Sequence, residues 1–277
     1  MATEPASTSG EAAPAFLIID TESVPDGKLL AKIKFPDDNL TPELAIAKAQ
    51  EEARTNSNTG SDFLPVTFQI PVAACVVRVG ADFGLQAITC LDTPQFRPRK
   101  IAEQFWSGLV TYRAKYRDRI RLVTFNGRCF DLPLLEMAAF RYGITGRDYF
   151  SSSRKRFEGW HIDLMDWLTN FGAYRMVGGL NLLSKLLGKP GKMSVQGDQV
   201  YQMHQAGKTQ EINDYCMFDT LDTYFVFLRT RVLTGELTLG DEHKKVLRAK
   251  EWLQSKTTEL PALTNYLANW GDWEPWP

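Results

Sequence analysis

Residues 215 to 228, YCMFDTLDTYFVFL, are apolar almost all the way round a helix, yet they carry two aspartates, Asp219 and Asp222. A helix without a polar face belongs in the middle of a domain, so the rest of the chain has to be built around this one. A carboxylate in such a helix is costly unless it is paired or bound to a cation. The spacing of four between Tyr215 and Asp219 puts both side chains on one helical face. Asp222 follows a turn later and reads first as a polar helix position. Something elsewhere in the chain has to meet Asp219.

Two other segments end in carboxylates. FLIIDTE (16–22) is an apolar run with the pattern of a buried strand, and it ends in Asp20 and Glu22. In an extended strand residues i and i+2 point to the same side, so both carboxylates converge, and they repel unless a cation lies between them. Taken alone, the pair also reads as a strand entering the acidic turn ESVPDG. In TFNGRCFDLPLL (124–135) a second apolar strand ends at Asn126-Gly127, and Asp131 opens a helix with Pro133 in its first turn. An N-cap role for Asp131 is compatible with a place in a site, because ligands bind where strands hand over to helices at a sheet rim.

The remaining pattern gives the architecture. Strands are expected over 16–20, 72–79, 85–91 and 120–125, the middle two forming an antiparallel pair about GADFG. Helices are expected over 41–56, capped by Thr41 and Pro42, and over 100–117, 131–142, 161–172, 178–187, 210–230 and 241–254. The segment at about 35–65 is read as an insertion between two strands. The class is α/β, with a mixed sheet and a mostly helical C-terminal half.

With 32 Lys and Arg against 33 Asp and Glu, no global field favours a polyanion, so a nucleic-acid site has to be a local patch. Cys75, Cys90, Cys129 and Cys216 are widely spaced, without a CxxC pair, which points away from a zinc site or disulfide framework and towards a cytoplasmic setting. Residues 1–14 read as a disordered tail without signal-peptide character, and no apolar run is long enough to cross a bilayer.

The three acidic segments together resemble the DEDD 3′–5′ exonucleases of the ribonuclease H-like superfamily. Asp20-Thr21-Glu22 corresponds to the first motif of those enzymes, Asn126-Gly127-x-x-Phe130-Asp131 to the second, and Tyr215-x-x-x-Asp219 to the tyrosine (DEDDy) form of the third. HIDLMDWL (161–168) and LLGKPGKM (186–193) further resemble the predicted 3′–5′ exonuclease family related to the exonuclease domain of family B DNA polymerases. The resemblance spans roughly residues 16–232. It implies a ribonuclease H-like domain over 15–235 and leaves 236–277 as a helical extension with a Trp-rich tail.

It also implies roles. Asp20, Glu22, Asp131 and Asp219 would hold two divalent ions, and hard oxygen donors without a Cys or His cluster suit Mg²⁺ or Mn²⁺. Tyr215 would orient the attacking water, as a hydrogen-bond positioner rather than a strong base. Thr21, Asn126, Gly127, Phe130 and Lys192 are the candidate substrate contacts. Asp163 is either a carboxylate that supports a ligand from behind or a helix-start residue.

The expected substrate is the 3′ end of single-stranded nucleic acid, with DNA favoured and RNA as the alternative polymer. The run RYGITGRDYFSSSRKR (141–156), net +4 with interleaved aromatics, suits phosphates and bases or a solvated loop. Trp270, Trp273 and Trp276 are expected to pack on the domain or to serve a protein partner; no membrane partner is expected. GKPGK fails the P-loop template, and no GxSxG or triad pattern accompanies the three histidines. The rival reading is a non-catalytic ribonuclease H-like module that binds nucleic acid or protein.

Overall fold

The computed structural model describes residues 12–116, 120–153, 159–193 and 199–275. Most of the expected tail (1–14), the end of the basic run (154–156) and Trp276 lie outside them. Five strands, β1 (Pro14–Pro25), β2 (Gln69–Gly80), β3 (Leu85–Cys90), β4 (Arg121–Thr124) and β5 (His161–Asp163), form one sheet in the order β3-β2-β1-β4-β5. β1–β2 and β2–β3 are antiparallel, and β1–β4 and β4–β5 are parallel. This mixed sheet, with helices on both faces, is the α/β arrangement expected from the sequence.

Strand alternation decides what each face packs against. Leu17 and Ile19 of β1 point towards α3 (Pro98–Tyr116) and α4 (Asp131–Tyr142), into a core that includes Ile101, Trp106, Leu122 and Leu135. Ile18 and Val24 point the other way, into a core with Val77, Val123, Cys216, Leu221 and Phe227. The last three belong to α8 (Thr209–Leu233), whose residues from Tyr215 to Leu228 are buried apart from Asp219, as a helix apolar all round requires. Along α8 lie α9 (Leu239–Ser255) and α10 (Leu263–Ala268).

Two expectations are corrected. The helix read over 161–172 is instead the strand β5 followed by the short α5 (Leu164–Leu168). Parallel pairing of His161, Ile162 and Asp163 with Leu122, Val123 and Thr124 takes those residues into the sheet. After α5, positive φ at Asn170, Phe171 and Gly172 stops any continuation. The insertion is also longer at its start than 35–65. Between β1 and β2 the chain makes α1 (Gly27–Ile33), capped by Asp26 accepting from the Leu29 N–H, and then α2 (Pro42–Asn56). The two helices share a small core of Leu30, Phe35, Ala45, Ile46, Ala49 and Leu64. Their N-termini approach so closely that a Cβ on Gly27 would lie 2.3 Å from the Pro42 carbonyl oxygen.

The tail folds back onto its own chain. The Trp270 ring meets Phe225 edge-on at 4.9 Å, and Arg229 lies 4.6 Å over Trp273. Between β5 and the tail run α6 (Gly179–Leu186) and α7 (Val200–Gln205). Among the described residues no helix is long and apolar enough to cross a membrane, and all four cysteines are free thiols.

Candidate active site

β1 does not end at its carboxylates, as the pattern of 16–20 suggested; it runs through them to Pro25. What opens the site is the stop of its neighbour. β4 pairs with β1 only at Phe16, Leu17 and Ile18, so from Ile19 onwards β1 has β2 on one side and a free edge on the other. Asp20 and Glu22 share the parity of Ile18 and Val24, so they face α8, and the register with β2 shifts just after Glu22.

The chain leaving β4 turns across that free edge. Asn126 takes φ 64°, a left-handed conformation that Asn tolerates, and the Gly127 N–H donates to the Thr124 hydroxyl at 3.2 Å. A Cβ on Gly127 would meet the Thr124 side chain at 2.5 Å, so this position needs glycine. The turn delivers Asp131 as the first residue of α4, with Phe130 rather than Asp131 at the cap. Asp131 is 3% exposed, and its Oδ1 accepts the Thr21 hydroxyl at 2.5 Å.

From the other side α8 contributes Tyr215 and Asp219. Oxygens of Asp20, Glu22 and Asp219 all lie within 4.8 Å of one another. Asp131 stands outside this tight trio, held by Thr21, but near enough for its charge to push up the carboxyls of Asp20 and Glu22. Burial is the larger cause and raises all four; Asp131 and Asp219 reach about 7. Burial and the surrounding carboxylates push the Tyr215 phenol far up, so it remains a proton donor, and its hydrogen bond favours the ionised form of Asp219. Lys192 favours the ionised forms of Glu22 and Asp219.

This donor set fits a divalent cation. The Oδ2 of Asp20 is buried without a hydrogen-bond partner among the described residues, an expensive state for an acceptor left without a counter-charge. The trio consists of hard oxygens alone, which suits Mg²⁺ or Mn²⁺. The nearby thiol of Cys216 is turned away and donates to the Asp20 carbonyl oxygen at 3.2 Å.

Asp163 is the helix-start residue of α5, and it also holds the turn that leads to Asp131. Oδ1 caps α5 by accepting from the N–H groups of Met165 and Asp166, and it also accepts from the Asn126 N–H at 2.9 Å. Oδ2 accepts from the Arg128 N–H at 2.8 Å. The carboxylate thereby ties the Asn126–Arg128 turn, and through it Asp131, to β5.

A cleft of about 740 Å³ opens over the site. Its walls include Thr21, Glu22, Asn126, Phe130, Lys192 and Tyr215, all singled out from the sequence. It also includes Phe63 and Tyr201, which were not. Phe63 is 56% exposed with its ring 5.6 Å from that of Phe130; a lone aromatic in the polar stretch NTGSDF was the available signal. The basic run makes no comparable contribution where it is described. Arg141 pairs with Asp26 at 2.7 Å, and Tyr149 is buried with its hydroxyl donating to Glu136.

A family model described as a predicted 3′–5′ exonuclease related to the exonuclease domain of PolB matches residues 61–270. The matched stretch takes in Asp131, Tyr215 and Asp219 and begins after Asp20 and Glu22, which β1 brings to them. No curated protein matches the chain. Among solved structures, the zinc ion bound form of the E. coli ExoI–ssDNA complex is similar at a TM-score of 0.37 and 12% identity. That similarity covers 93% of this chain and 43% of the other, so the chain spans less than half of that protein.

Proposed function

We propose that this chain, which belongs to the family of predicted 3′–5′ exonucleases related to the exonuclease domain of PolB, removes nucleotides from the 3′ end of single-stranded DNA by metal-dependent hydrolysis. The observation that carries the proposal is the convergence of Asp20, Glu22 and Asp219 beside Asp131, with a buried Asp20 oxygen that no donor among the described residues satisfies. Four carboxylates of raised pKa in one place are unfavourable in the protein alone and favourable around cations.

In this reading Asp20, Glu22, Asp131 and Asp219 would hold two divalent cations, Mg²⁺ or Mn²⁺. When bound, these supply Lewis-acid polarisation of the phosphoryl group and neutralise the charge that develops on it. The chain does the rest. Tyr215, held protonated with its hydroxyl donating to Asp219, orients the attacking water by accepting a hydrogen bond from it at the phenol oxygen, with Glu22 as the acceptor on the water's other side. Thr21 holds Asp131 in place through its hydroxyl. Phe130 stacks on the terminal base, Asn126 hydrogen-bonds the terminal nucleotide, and Lys192 pairs with a phosphate next to the scissile bond. Water adds to phosphorus and releases a proton to solvent, the bond to the 3′ oxygen of the penultimate nucleotide breaks, and that oxygen takes up a proton from solvent as the new 3′ hydroxyl.

The test is a 5′-labelled single strand, as DNA and as RNA, incubated with Mg²⁺ or Mn²⁺ and with EDTA, beside an Asp219→Ala control. A descending ladder that needs metal and is absent from the control supports the proposal, and faster loss of the DNA supports the choice of polymer. Intact strands with metal bound would refute it.

A further inference from the structure

Lys192 reaches the cleft on the loop Gly188–Lys192, and that loop rests on a buried polar brace that includes the chain beyond α9. Asp222, on α8, is 1% exposed, and Tyr266, on α10, is fully buried. The Tyr266 hydroxyl donates to Asp222 Oδ1 at 2.6 Å. The Ser184 hydroxyl and the Gly191 N–H also face this carboxylate and favour its charged form, although Oδ2 completes no hydrogen bond among the described residues. A half-satisfied buried carboxylate is costly, and keeping one asks for a reason.

The loop above it is gripped at several points. The Gly271 N–H donates to the Gly188 carbonyl at 2.8 Å, and Lys189 lies 4.2 Å over the Trp270 ring. The Lys192 N–H donates to Asn181 Oδ1 at 2.8 Å. Gly188 and Gly191 both have positive φ, and a Cβ on Gly188 would lie 2.6 Å from the Asp272 carbonyl oxygen. The backbone of 188–192 is thus moulded against α6, α8 and residues 266–272. The Lys192 side chain emerges from it beside Glu22 and Tyr215, with no ion pair among the described residues.

We propose that Asp222 and Tyr266 are positioning residues that fix Lys192 over the cleft, making α10 and the tryptophan tail a working part of the substrate site rather than a cover for α8. The proposal rests on the nuclease reading for what Lys192 touches, a backbone phosphate of the single strand. Its structural half, that the brace holds the loop, stands apart from that reading.

A double-mutant cycle between Tyr266→Phe and Lys192→Ala tests it, with KM and kcat measured on labelled single-stranded DNA and Mn²⁺. Removing the hydroxyl is expected to raise KM about fivefold with little change in kcat, the mark of lost substrate binding. In the Lys192→Ala background the same change is expected to add nothing, because the lysine it positions is gone. Independent, multiplying effects would overturn the proposal, as would a loss confined to kcat.

Hydrogen exchange of the segment 184–193 keeps the test separate from activity. Faster exchange there in Tyr266→Phe and in Asp222→Asn, with the sheet unchanged, is expected. Unchanged exchange in the loop overturns the brace even if the enzyme is active. If the wild-type protein degrades neither polymer, the nuclease reading and the phosphate contact fall together, and the exchange result still judges the brace.

Discussion

Asp20 and Asp163 lie in the same sheet, on strands separated only by β4, and both are enclosed by protein. Asp163 accepts N–H groups from Asn126, Arg128, Met165 and Asp166, so its charge is met almost entirely by backbone donors. Asp20 has a buried oxygen with no donor among the described residues, and its neighbours are the carboxylates of Glu22, Asp131 and Asp219. Burial raises both groups, but Asp20 is raised much further, because repulsion adds to desolvation and no hydrogen bond offsets it. A buried acid that the protein satisfies organises a turn, whereas Asp20, unsatisfied and crowded by three other carboxylates, is the one that the proposed function gives to a cation.

The widest separation between the two should come from alanine substitution at each. Asp20→Ala is expected to lower metal-dependent cleavage by about 10³-fold or more, from the several kcal/mol that a well-held cation contributes. It should also remove most of the rise in melting temperature on adding Mn²⁺, while leaving the metal-free protein as stable as before or more so. Asp163→Ala should put the larger loss on stability instead. Four N–H donors lose their acceptor, so stability falls by about 3 kcal/mol in denaturant titration, and cation affinity weakens about 10–100-fold through the displaced turn. Equal losses of stability from the two variants would erase the distinction.

A smaller effect is expected from pH. The carboxyls of Asp131 and Asp219, ordinarily at 3.8, lie near 7 in the metal-free protein. The folded state therefore keeps protons that the unfolded state releases. Stability is greatest below pH about 4 on this account and is lost as pH rises towards 7, at about 1.4 kcal/mol per pH unit for each such proton. His161, pushed down to about 3 by burial, works in the opposite sense and costs stability below its ordinary 6.5. Two carboxyls against one imidazole leave the fall with rising pH dominant, and a saturating divalent cation should abolish it. Denaturant titration at pH 5 and pH 7, with Mn²⁺ and with EDTA, measures the difference; a metal-free protein more stable at pH 7 would contradict it.

The smallest effect sharpens the picture of how Asp131 is divided between the two kinds of acid. Thr21→Val removes a side-chain donor to its Oδ1 and should push its pKa higher still. Activity near neutral pH is expected to fall about 3–10-fold, for one hydrogen bond of ordinary net strength, about 1 kcal/mol, and to recover as the pH is raised. A pH–rate profile that does not move would assign Thr21 to substrate contact alone.

Much of this site could be read from the chain because each acid carries a local signature. Asp20 and Glu22 alternate at the end of an apolar run, Asp131 follows an Asn-Gly turn, and Asp219 interrupts a helix that has no polar face. The mixed sheet was legible for a similar reason, since its longer strands are apolar runs bounded by turns. β5 was not, because its three residues owe their conformation to β4 and have too little length for a pattern of their own. Nor was the place of Phe63 or of Tyr266. The first stands in a polar stretch of the insertion, and the second meets Asp222 from 44 residues away, beyond any local periodicity.

The contacts that close the site also set when it can exist. Thr21 meets Asp131 across 110 residues, and the thiol of Cys216 meets the carbonyl of Asp20 across 196. Long closures of this kind cost chain entropy before any contact rewards them, and they slow folding. A ribosome-bound chain that has not yet released α8 holds Asp20, Glu22 and Asp131 without Asp219 or Tyr215. The proposed cation centre therefore cannot assemble before α8 has left the ribosome, and the metal-dependent activity proposed for it would report that synthesis and folding have run through that helix.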